Sequence, residues 1–282
     1  MILHYIYFVL RGFSQSRFGY GVRDKLRLVG LTVLEIIHGF GLNNNFEKMI
    51  AELWRRTVVK TNSLIYSLVD CESFDIVFDY YENFVLKWLR LTRGEVFVDV
   101  GAHIGKYTLL AAKKVGNEGL VVAVEPHPIN YQTLVKNLLL NKIRNVIALN
   151  LAAWNKDCDL DLYVGKMGGS HSTKSNWKRG EIKVRARSMD GVFKPLQLKK
   201  ICWIKIDVEA AEYEILCGLR QTILKFAPKI IIEAQLENED KIKNFMKIEG
   251  YGLIRISPFF KGTLSKFSYL ICFPLTDKSP RD

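Results

Sequence analysis

One run of residues, Val96 to Ala112, constrains the fold of this chain more than any other segment. It begins as an apolar strand, changes into the glycine-containing segment Asp99-Val-Gly-Ala-His-Ile-Gly105, and continues with residues that favour a helix. A strand, a glycine turn and a helix in this order are typical of a nucleotide-binding α/β unit, because the free N–H groups of the helix N-terminus attract an anionic group. The segment therefore predicts a cofactor site at the end of a parallel strand.

The spacing of the glycines indicates which cofactor the turn suits. Gly101 and Gly105 have three residues between them, and no Lys-Ser or Lys-Thr follows them, so the segment differs from the phosphate loop of NTPases. His103 occupies the position where a dinucleotide-binding turn needs a glycine, and Asp99 would repel a pyrophosphate. S-adenosylmethionine has an ammonium, a sulfonium and no phosphate. An acid beside a glycine turn suits that charge pattern, so we predict this cofactor.

A second acidic residue supports the same cofactor. Glu125 ends the apolar strand that starts at Leu120, and it lies 20 residues after Gly105 (125 − 105). An acid at this spacing accepts hydrogen bonds from the two ribose hydroxyls of a nucleoside cofactor. Glu125 alone could equally be a solvated acid at a strand end. Its occurrence together with Asp99 and the glycine turn favours the cofactor hypothesis.

Composition narrows the class of protein. The chain has 282 residues, and 49% of them are hydrophobic, enough for a full core. Its five cysteines are scattered and form no Cys-x-x-Cys pair, which predicts reduced thiols in a cytoplasmic protein and neither a disulfide framework nor a zinc site. The net charge of +12 would attract nucleic acid, acidic lipid headgroups or phosphorylated glycans; a generally solvated basic surface is the alternative.

The N-terminal residues leave two interpretations open. No segment reaches the ~18 uninterrupted apolar residues of a membrane span, and the run from Ile2 to Leu10 is too short for one. Residues 26–42 predict an amphipathic helix flanked by Arg23, Lys25 and Arg27. We expect this helix to pack on the following domain. Peripheral membrane contact through residues 1–42 is the alternative.

The pattern of elements predicts an N-terminal helical extension, residues 1–70, and an α/β domain, residues 71–282. Within the domain we expect a strand at residues 74–80, and then a sheet of seven strands that is mostly parallel, with an antiparallel last strand, as in Rossmann-like methyltransferases. The expected strands are 96–100, 120–125, 145–150, 201–207, 229–233, 252–256 and 268–273, and the expected helices 81–91, 106–115, 129–141, 209–226 and 238–249. A long glycine-containing loop, residues 165–180, is the candidate lid and contains His171.

The motifs of the chain resemble those of the FkbM family of S-adenosylmethionine-dependent methyltransferases. The resemblance covers roughly residues 74–235 and is carried by Val96-Phe-Val-Asp-Val-Gly-Ala-His-Ile-Gly-Lys-Tyr-Thr108, Glu125-Pro-His-Pro-Ile-Asn130, Asn150-Leu-Ala-Ala-Trp-Asn-Lys-Asp157, Ser188-Met-Asp190 and Lys205-Ile-Asp-Val-Glu-Ala-Ala-Glu-Tyr-Glu-Ile-Leu-Cys-Gly218. Two positions depart from the family pattern: His103 replaces an asparagine and Ala210 a glycine. We expect His103 to make cofactor affinity pH-dependent, and Ala210 to alter a close backbone approach.

The resemblance implies a class I methyltransferase fold and a set of cofactor-binding residues. These are Asp99, Gly101, Ala102, His103, Gly105, Glu125, Pro126, Ala152 and Ala153. It also implies that the acceptor is a small molecule or glycan, with methyl transfer to a hydroxyl of a sugar, glycan or lipid-linked glycan.

Acidic residues at strand ends are the candidates for catalysis. Asp207 and Glu209 follow the fourth parallel strand, where such folds hold ligands, so either could act as a general base or position the acceptor; Lys205 could pair with one of them. His171 is the other candidate base. A magnesium ion held by Asp207, Glu233 and Asp190 is a minor alternative, and the main prediction includes no metal.

Two other functions remain open at this point. An RNA methyltransferase would account for the net charge of +12. A cofactor-binding protein without catalysis, or a membrane-surface adaptor built on the N-terminal helices, is the alternative outside the enzymes.

Overall fold

The computed structural model describes residues 14–39, 46–78, 83–164, 180–256 and 266–275. In chain order, the helices in these ranges are α1 (Val22–Gly39), α2 (Phe46–Arg56), α3 (Cys71–Ile76), α4 (Asn83–Trp88), α5 (Lys106–Val115), α6 (Pro128–Leu140), α7 (Met189–Phe193), α8 (Glu212–Gly218), α9 (Arg220–Phe226) and α10 (Glu239–Ile248). The strands are β1 (Val58–Thr61), β2 (Leu64–Ser67), β3 (Val96–Val100), β4 (Leu120–Val124), β5 (Val146–Leu149), β6 (Ala152–Trp154), β7 (Cys158–Tyr163), β8 (Glu181–Ser188), β9 (Trp203–Asp207), β10 (Lys229–Gln235), β11 (Tyr251–Ile256) and β12 (Phe267–Pro274).

A seven-stranded sheet forms the centre of the molecule. Its order is β11-β12-β10-β9-β3-β4-β5, and β12 alone runs antiparallel to its neighbours. All five residues of β3 are buried, as expected for a central parallel strand covered on both faces. The predicted Rossmann-like class I fold, with its antiparallel last strand, is therefore confirmed.

The carboxyl ends of the central strands meet at one edge of this sheet. In the register, Asp99 of β3 lies beside Lys205 of β9, and Asp207 of β9 lies beside Glu233 of β10. The predicted acids at the strand ends are thereby brought together, in the crevice where ligands bind to such sheets.

The N-terminal segment shares a core with the sheet layer. Leu31 of α1 and Trp54 of α2 belong to the same buried cluster as Ile104 and Leu134. The segment is not entirely helical, because Val58–Ser67 forms the antiparallel hairpin of β1 and β2. The boundary at residue 70 stays a prediction.

Two asparagines of α6 attach this hairpin to the sheet domain. Asn137 accepts a hydrogen bond from Ser67 N and donates to Ser67 O, and Asn141 does the same with the backbone of Ile65. Residues four apart on a helix share one face, so the two side-chain amides can satisfy alternate residues of a strand edge. These asparagines are thus structural.

The strand predicted at residues 74–80 is wrong in its described part, because Cys71–Ile76 is helix α3. Asp70 accepts a hydrogen bond from Ser73 N, and the Ser73 hydroxyl oxygen accepts one from Asp70 N. This capping box satisfies free N–H groups at the start of the helix. The local cap outweighs the alternating pattern from Phe74 onward.

The helix predicted at residues 209–226 is divided into α8 and α9 at Leu219. Asp190 accepts hydrogen bonds from Gln221 N, Thr222 N and Thr222 Oγ1, which fixes the start of the second helix. Ser188 Oγ donates to Gly218 O at the end of the first. The family-specific Ser188-Met-Asp190 motif therefore holds this break in place.

Among the described residues, no helix combines the length and the apolar character needed to cross a membrane.

Candidate cofactor and acceptor site

A cavity of about 330 Å³ opens at the carboxyl ends of the central strands. Most of the described residues predicted for the cofactor and for catalysis line it, namely Gly101, Ala102, His103, Glu125, Pro126, Ala152, Ala153, Asp207 and Glu209. Asp99, in β3, and Gly105, at the N-terminus of α5, are not among the lining residues. Residues 165–179 of the candidate lid (165–180), which include His171, lie outside the described residues, so the lid stays a prediction.

The glycine turn allows the chain to pass close to β9. Gly101 has a φ of +82°, and a Cβ atom built on it would lie 1.8 Å from Asp207 O. Gly105 has a φ of +97°, and a Cβ atom there would lie 2.5 Å from the Leu134 side chain. Both glycines are therefore required by positive φ and by space, which agrees with the sequence prediction.

Asp99 is held behind the turn with one oxygen unsatisfied. Thr108 Oγ1 donates to Asp99 Oδ2 at 2.6 Å, whereas Asp99 Oδ1 is buried and has no hydrogen-bond partner among the described residues. Burial raises the pKa of Asp99, and the positive charge of Lys205 opposes that rise. A buried acceptor without a donor is costly, so this oxygen fits a ligand that brings N–H groups.

Glu125 is oriented by backbone groups on both sides. Its Oε2 accepts a hydrogen bond from His103 N at 2.8 Å and its Oε1 one from His127 N at 2.9 Å. Burial raises the pKa of Glu125 to about 7, although these N–H groups and Asn130 oppose the rise. These three donors occupy three of the roughly four acceptor sites of a carboxylate, so the group can still accept a hydrogen bond from a ligand hydroxyl.

His103 does not have the titration expected from the sequence. Both of its ring nitrogens are buried without a hydrogen-bond partner among the described residues, and burial lowers its pKa to about 4. The ring is therefore neutral near pH 7, and a pH dependence of cofactor affinity through His103 stays a prediction for acidic pH. Glu125, with its pKa of about 7, titrates near neutrality.

A buried lysine holds Asp207, as the sequence suggested. Lys205 Nζ is 2.6 Å from Asp207 Oδ2 and lies 4.5 Å from the centroid of the Tyr107 ring. Lys205 is almost fully buried, whereas the Asp207 side chain remains about one third exposed. The ion pair fixes one oxygen of Asp207 and leaves its carboxylate at the cavity wall.

Glu209 lies in the same wall but has different electrostatics. Its Oε2 accepts a hydrogen bond from Gln235 Nε2 at 2.9 Å. Burial, followed by the negative charges of Asp207 and Glu72, raises its pKa to about 7. A carboxylate with a pKa near neutrality is suited to take a proton from a substrate.

The lining includes residues that were not predicted for the site, and three of them come from separate elements. Glu72 comes from α3, Tyr107 from the first turn of α5, and Phe267 from the start of β12. The capping-box pattern Asp70 to Ser73 is the signal that could have placed Glu72 on a helix. No comparable local signal brings Phe267 to the cavity, because its position depends on the antiparallel strand.

The magnesium alternative has no support in the described part of the chain, where no group of three His, Cys, Asp or Glu residues could hold a metal ion. Asp190 in particular is occupied by the N-terminus of α9. Tyr269 donates a hydrogen bond to the second proposed ligand, Glu233.

Sequence comparison identifies the family. The family model described as the methyltransferase FkbM domain matches residues 99–253, more than half of the chain. The chain belongs to the FkbM methyltransferase family. The predicted resemblance is thus confirmed, and the matched FkbM segment contains all described candidate site residues of the cofactor and catalytic sets.

Individual relatives are distant. "Methyltransferase 1" from Beauveria bassiana (strain ARSEF 2860) is 25% identical over 157 residues, which are 48% of this FkbM-family chain and 63% of that relative. A crystal structure of the FkbM methyltransferase from Methylobacillus flagellatus KT superimposes with a TM-score of 0.50 at 17% identity, covering 94% of this chain and 58% of that one. The chain thus spans about three fifths of each, and the structural likeness establishes the fold.

Proposed function

We propose that the protein is an S-adenosylmethionine-dependent methyltransferase that acts on a hydroxyl group of a sugar, glycan or lipid-linked glycan. Membership of the FkbM family supports the reaction class. The observation that carries the proposal is the pairing, in one cavity, of a cofactor-type acid, Glu125, with a second acid of raised pKa, Glu209.

The residues of the cavity fit the cofactor. Asp99, behind the cavity wall, has an unsatisfied Oδ1 that suits an ammonium group. Gly101 lets the turn lie against β9 at this wall, and Glu125 can accept a hydrogen bond from a ribose hydroxyl. Ala152 and Ala153 offer a small apolar wall for the adenine. When bound, S-adenosylmethionine supplies an electrophilic methyl group.

We assign the role of general base to Glu209. With a pKa of about 7, it is partly ionised at neutral pH and can accept the proton of the acceptor hydroxyl. Asp207, fixed by Lys205, is assigned to orient the acceptor by accepting a second hydrogen bond. From the sequence, either acid could be the base or position the acceptor, with Asp207 slightly favoured as the base; their different surroundings support the opposite division.

Four acidic residues of the cavity make RNA a less favourable acceptor. Glu72, Asp207, Glu209 and Glu233 all line the cavity, and their charges repel phosphates close to the reacting centre. The described lining contains two cations, Lys106 and Lys205, so most of the residues that give the chain its net charge of +12 lie elsewhere.

Transfer of a labelled methyl group into fractionated cell extract tests the reaction. We expect the label in material that resists nuclease and is released by glycan cleavage. Label released by nuclease would instead establish the RNA alternative, and binding of S-adenosylmethionine without any transfer would establish the non-catalytic one.

Two carboxyl-to-amide variants test the base, with Glu237→Gln, on an exposed site outside the cavity, as the control. Glu209→Gln should lower turnover by ~10²–10⁴ and leave cofactor affinity unchanged. Asp207→Asn should chiefly raise the acceptor KM. Normal turnover in Glu209→Gln would show that the base assignment is wrong.

A further inference from the structure

Helix α1 has two apolar faces, although it lies at the surface of the molecule. Its inner face contains Leu28 and Leu31, which are 2% and 1% exposed and belong to the core shared with the sheet domain. A surface helix with one buried stripe normally carries polar residues on its other side. The opposite side of α1 does not follow that rule.

The outward side of α1 carries a continuous apolar stripe. With about 100° of rotation per residue, six residues fall within an arc of roughly 100° centred opposite Leu28 and Leu31. We call these six residues the outer stripe; they are Val22, Leu26, Val29, Val33, Ile36 and Ile37. Val22, Leu26 and Val33 are 75%, 67% and 44% exposed, and the other three are half-buried.

The charges of α1 are divided between its two sides. Arg23 and Lys25 are exposed and flank the outer stripe, one on each side of the arc. Both acids face the other way: Asp24 is buried and accepts hydrogen bonds from Val58 N and Arg27, while Glu35 accepts one from Trp54 Nε1. The exposed side of the helix is therefore apolar and cationic.

We propose that the outer stripe is a docking surface for an anionic phospholipid membrane. An apolar stripe bordered by lysine and arginine is the pattern of helices that lie in the membrane interface, where the apolar residues enter the acyl region and the cations reach lipid phosphates. The net charge of +12 acts in the same direction.

Charge complementarity favours a membrane over a second copy of the chain. A two-fold symmetric contact through the outer stripe would bring Arg23 and Lys25 close to their own counterparts, with no exposed acid on the same face of α1 to compensate. An anionic membrane provides the opposite charge for both cations at once.

Co-sedimentation of the full chain with phosphatidylcholine vesicles, with and without phosphatidylglycerol, tests the proposal. We expect binding to the anionic vesicles that weakens as salt is added. The Leu26→Gln/Val33→Gln variant should bind at least tenfold more weakly, because it removes apolar groups from the interface. Each of Arg23→Gln and Lys25→Gln should weaken binding about fivefold.

Exposed residues elsewhere provide matched controls. Leu139→Gln removes an exposed leucine of α6, and Lys114→Gln removes an exposed cation of α5; both should bind as the unsubstituted chain does. Thermal unfolding of every variant verifies the fold, which substitutions at exposed positions should preserve.

Three results would overturn the proposal. The first is that the chain does not bind anionic vesicles. The second is that the Leu26→Gln/Val33→Gln variant binds as well as the unsubstituted chain, which would assign binding to another segment. The third is that the chain dimerises at higher concentration and that this variant does not. The last result, measured by sedimentation velocity, would assign the outer stripe to a second copy.

Discussion

We predict that the raised pKa of Glu125 makes cofactor affinity depend on pH near neutrality. Burial raises this pKa from 4.5 to about 7, so the carboxyl of the free protein is largely protonated below that pH. Ribose hydroxyls donate hydrogen bonds to the ionised form and favour it. Cofactor binding should therefore release a proton below about pH 7, and affinity should rise as pH rises.

The size of this pH effect follows from the size of the pKa shift of Glu125. A pKa change of about 2.5 units corresponds to about 3 kcal/mol of free energy. This is the largest effect that the ionisation of Glu125 can have on the free energy of cofactor binding. If the bound state is fully ionised, affinity should rise close to tenfold between about pH 5.5 and 6.5 and level off above about pH 7. Removing the charge in Glu125→Gln should cost ~1–3 kcal/mol of binding at about pH 8, as for hydrogen bonds to charged groups.

Titration calorimetry across this pH range measures the effect. Repeating each titration in two buffers of different ionisation enthalpy counts the released protons. Glu209→Gln is a matched control, since Glu209 has the same raised pKa but lies on the acceptor side of the cavity, so this variant should keep the slope. A flat affinity profile for the unsubstituted chain, or an unchanged slope in Glu125→Gln, would refute the reasoning.

Three further outcomes concern the stability of the site. Gly101→Ala should destabilise the fold by at least ~1–2 kcal/mol, because φ is +82° and the new Cβ would meet Asp207 O, and it should weaken cofactor binding in calorimetry. Ala210→Gly should raise Tm by about 1–3 °C, because the relief of backbone strain at φ +70° exceeds the conformational entropy that glycine loses on folding. Ala227→Gly, at φ +45° and away from the cavity, should also raise Tm. A lowered Tm in both variants would contradict the argument. Burial first of all raises the pKa of Glu212 to about 7, so the folded state holds its proton up to a higher pH than the unfolded state does. The free energy of unfolding should therefore fall as pH rises from about 4.5 to 7, because the unfolded state loses this proton first. In denaturant unfolding, Glu212→Gln should gain up to about 3 kcal/mol relative to the unsubstituted chain over that range. A difference between the two that does not change with pH would contradict this prediction.

Much of the fold and of the cofactor site could be predicted from the sequence, because those features depend on local spacing. The glycine turn from Gly101 to Gly105 follows from positive φ and the lack of a side chain, and the pairing of Lys205 with Asp207 follows from the two-residue period of a strand. The parallel strands are apolar on both faces, which sets the order of elements and the class of fold.

Only the tertiary structure decided the electrostatics and the long-range neighbours. The pKa values of Glu125 and Glu209 are set by burial and by charges from distant segments, among them Glu72 on a helix more than a hundred residues before Glu209. The sequence predicted an amphipathic helix in the region of α1 and left packing on the domain and membrane contact as alternatives, but it did not show which residues form the outer stripe. Which face of α1 packs and which stays exposed depends on contacts with α2 and the sheet domain, and no periodicity within eighteen residues can specify a partner that lies outside them.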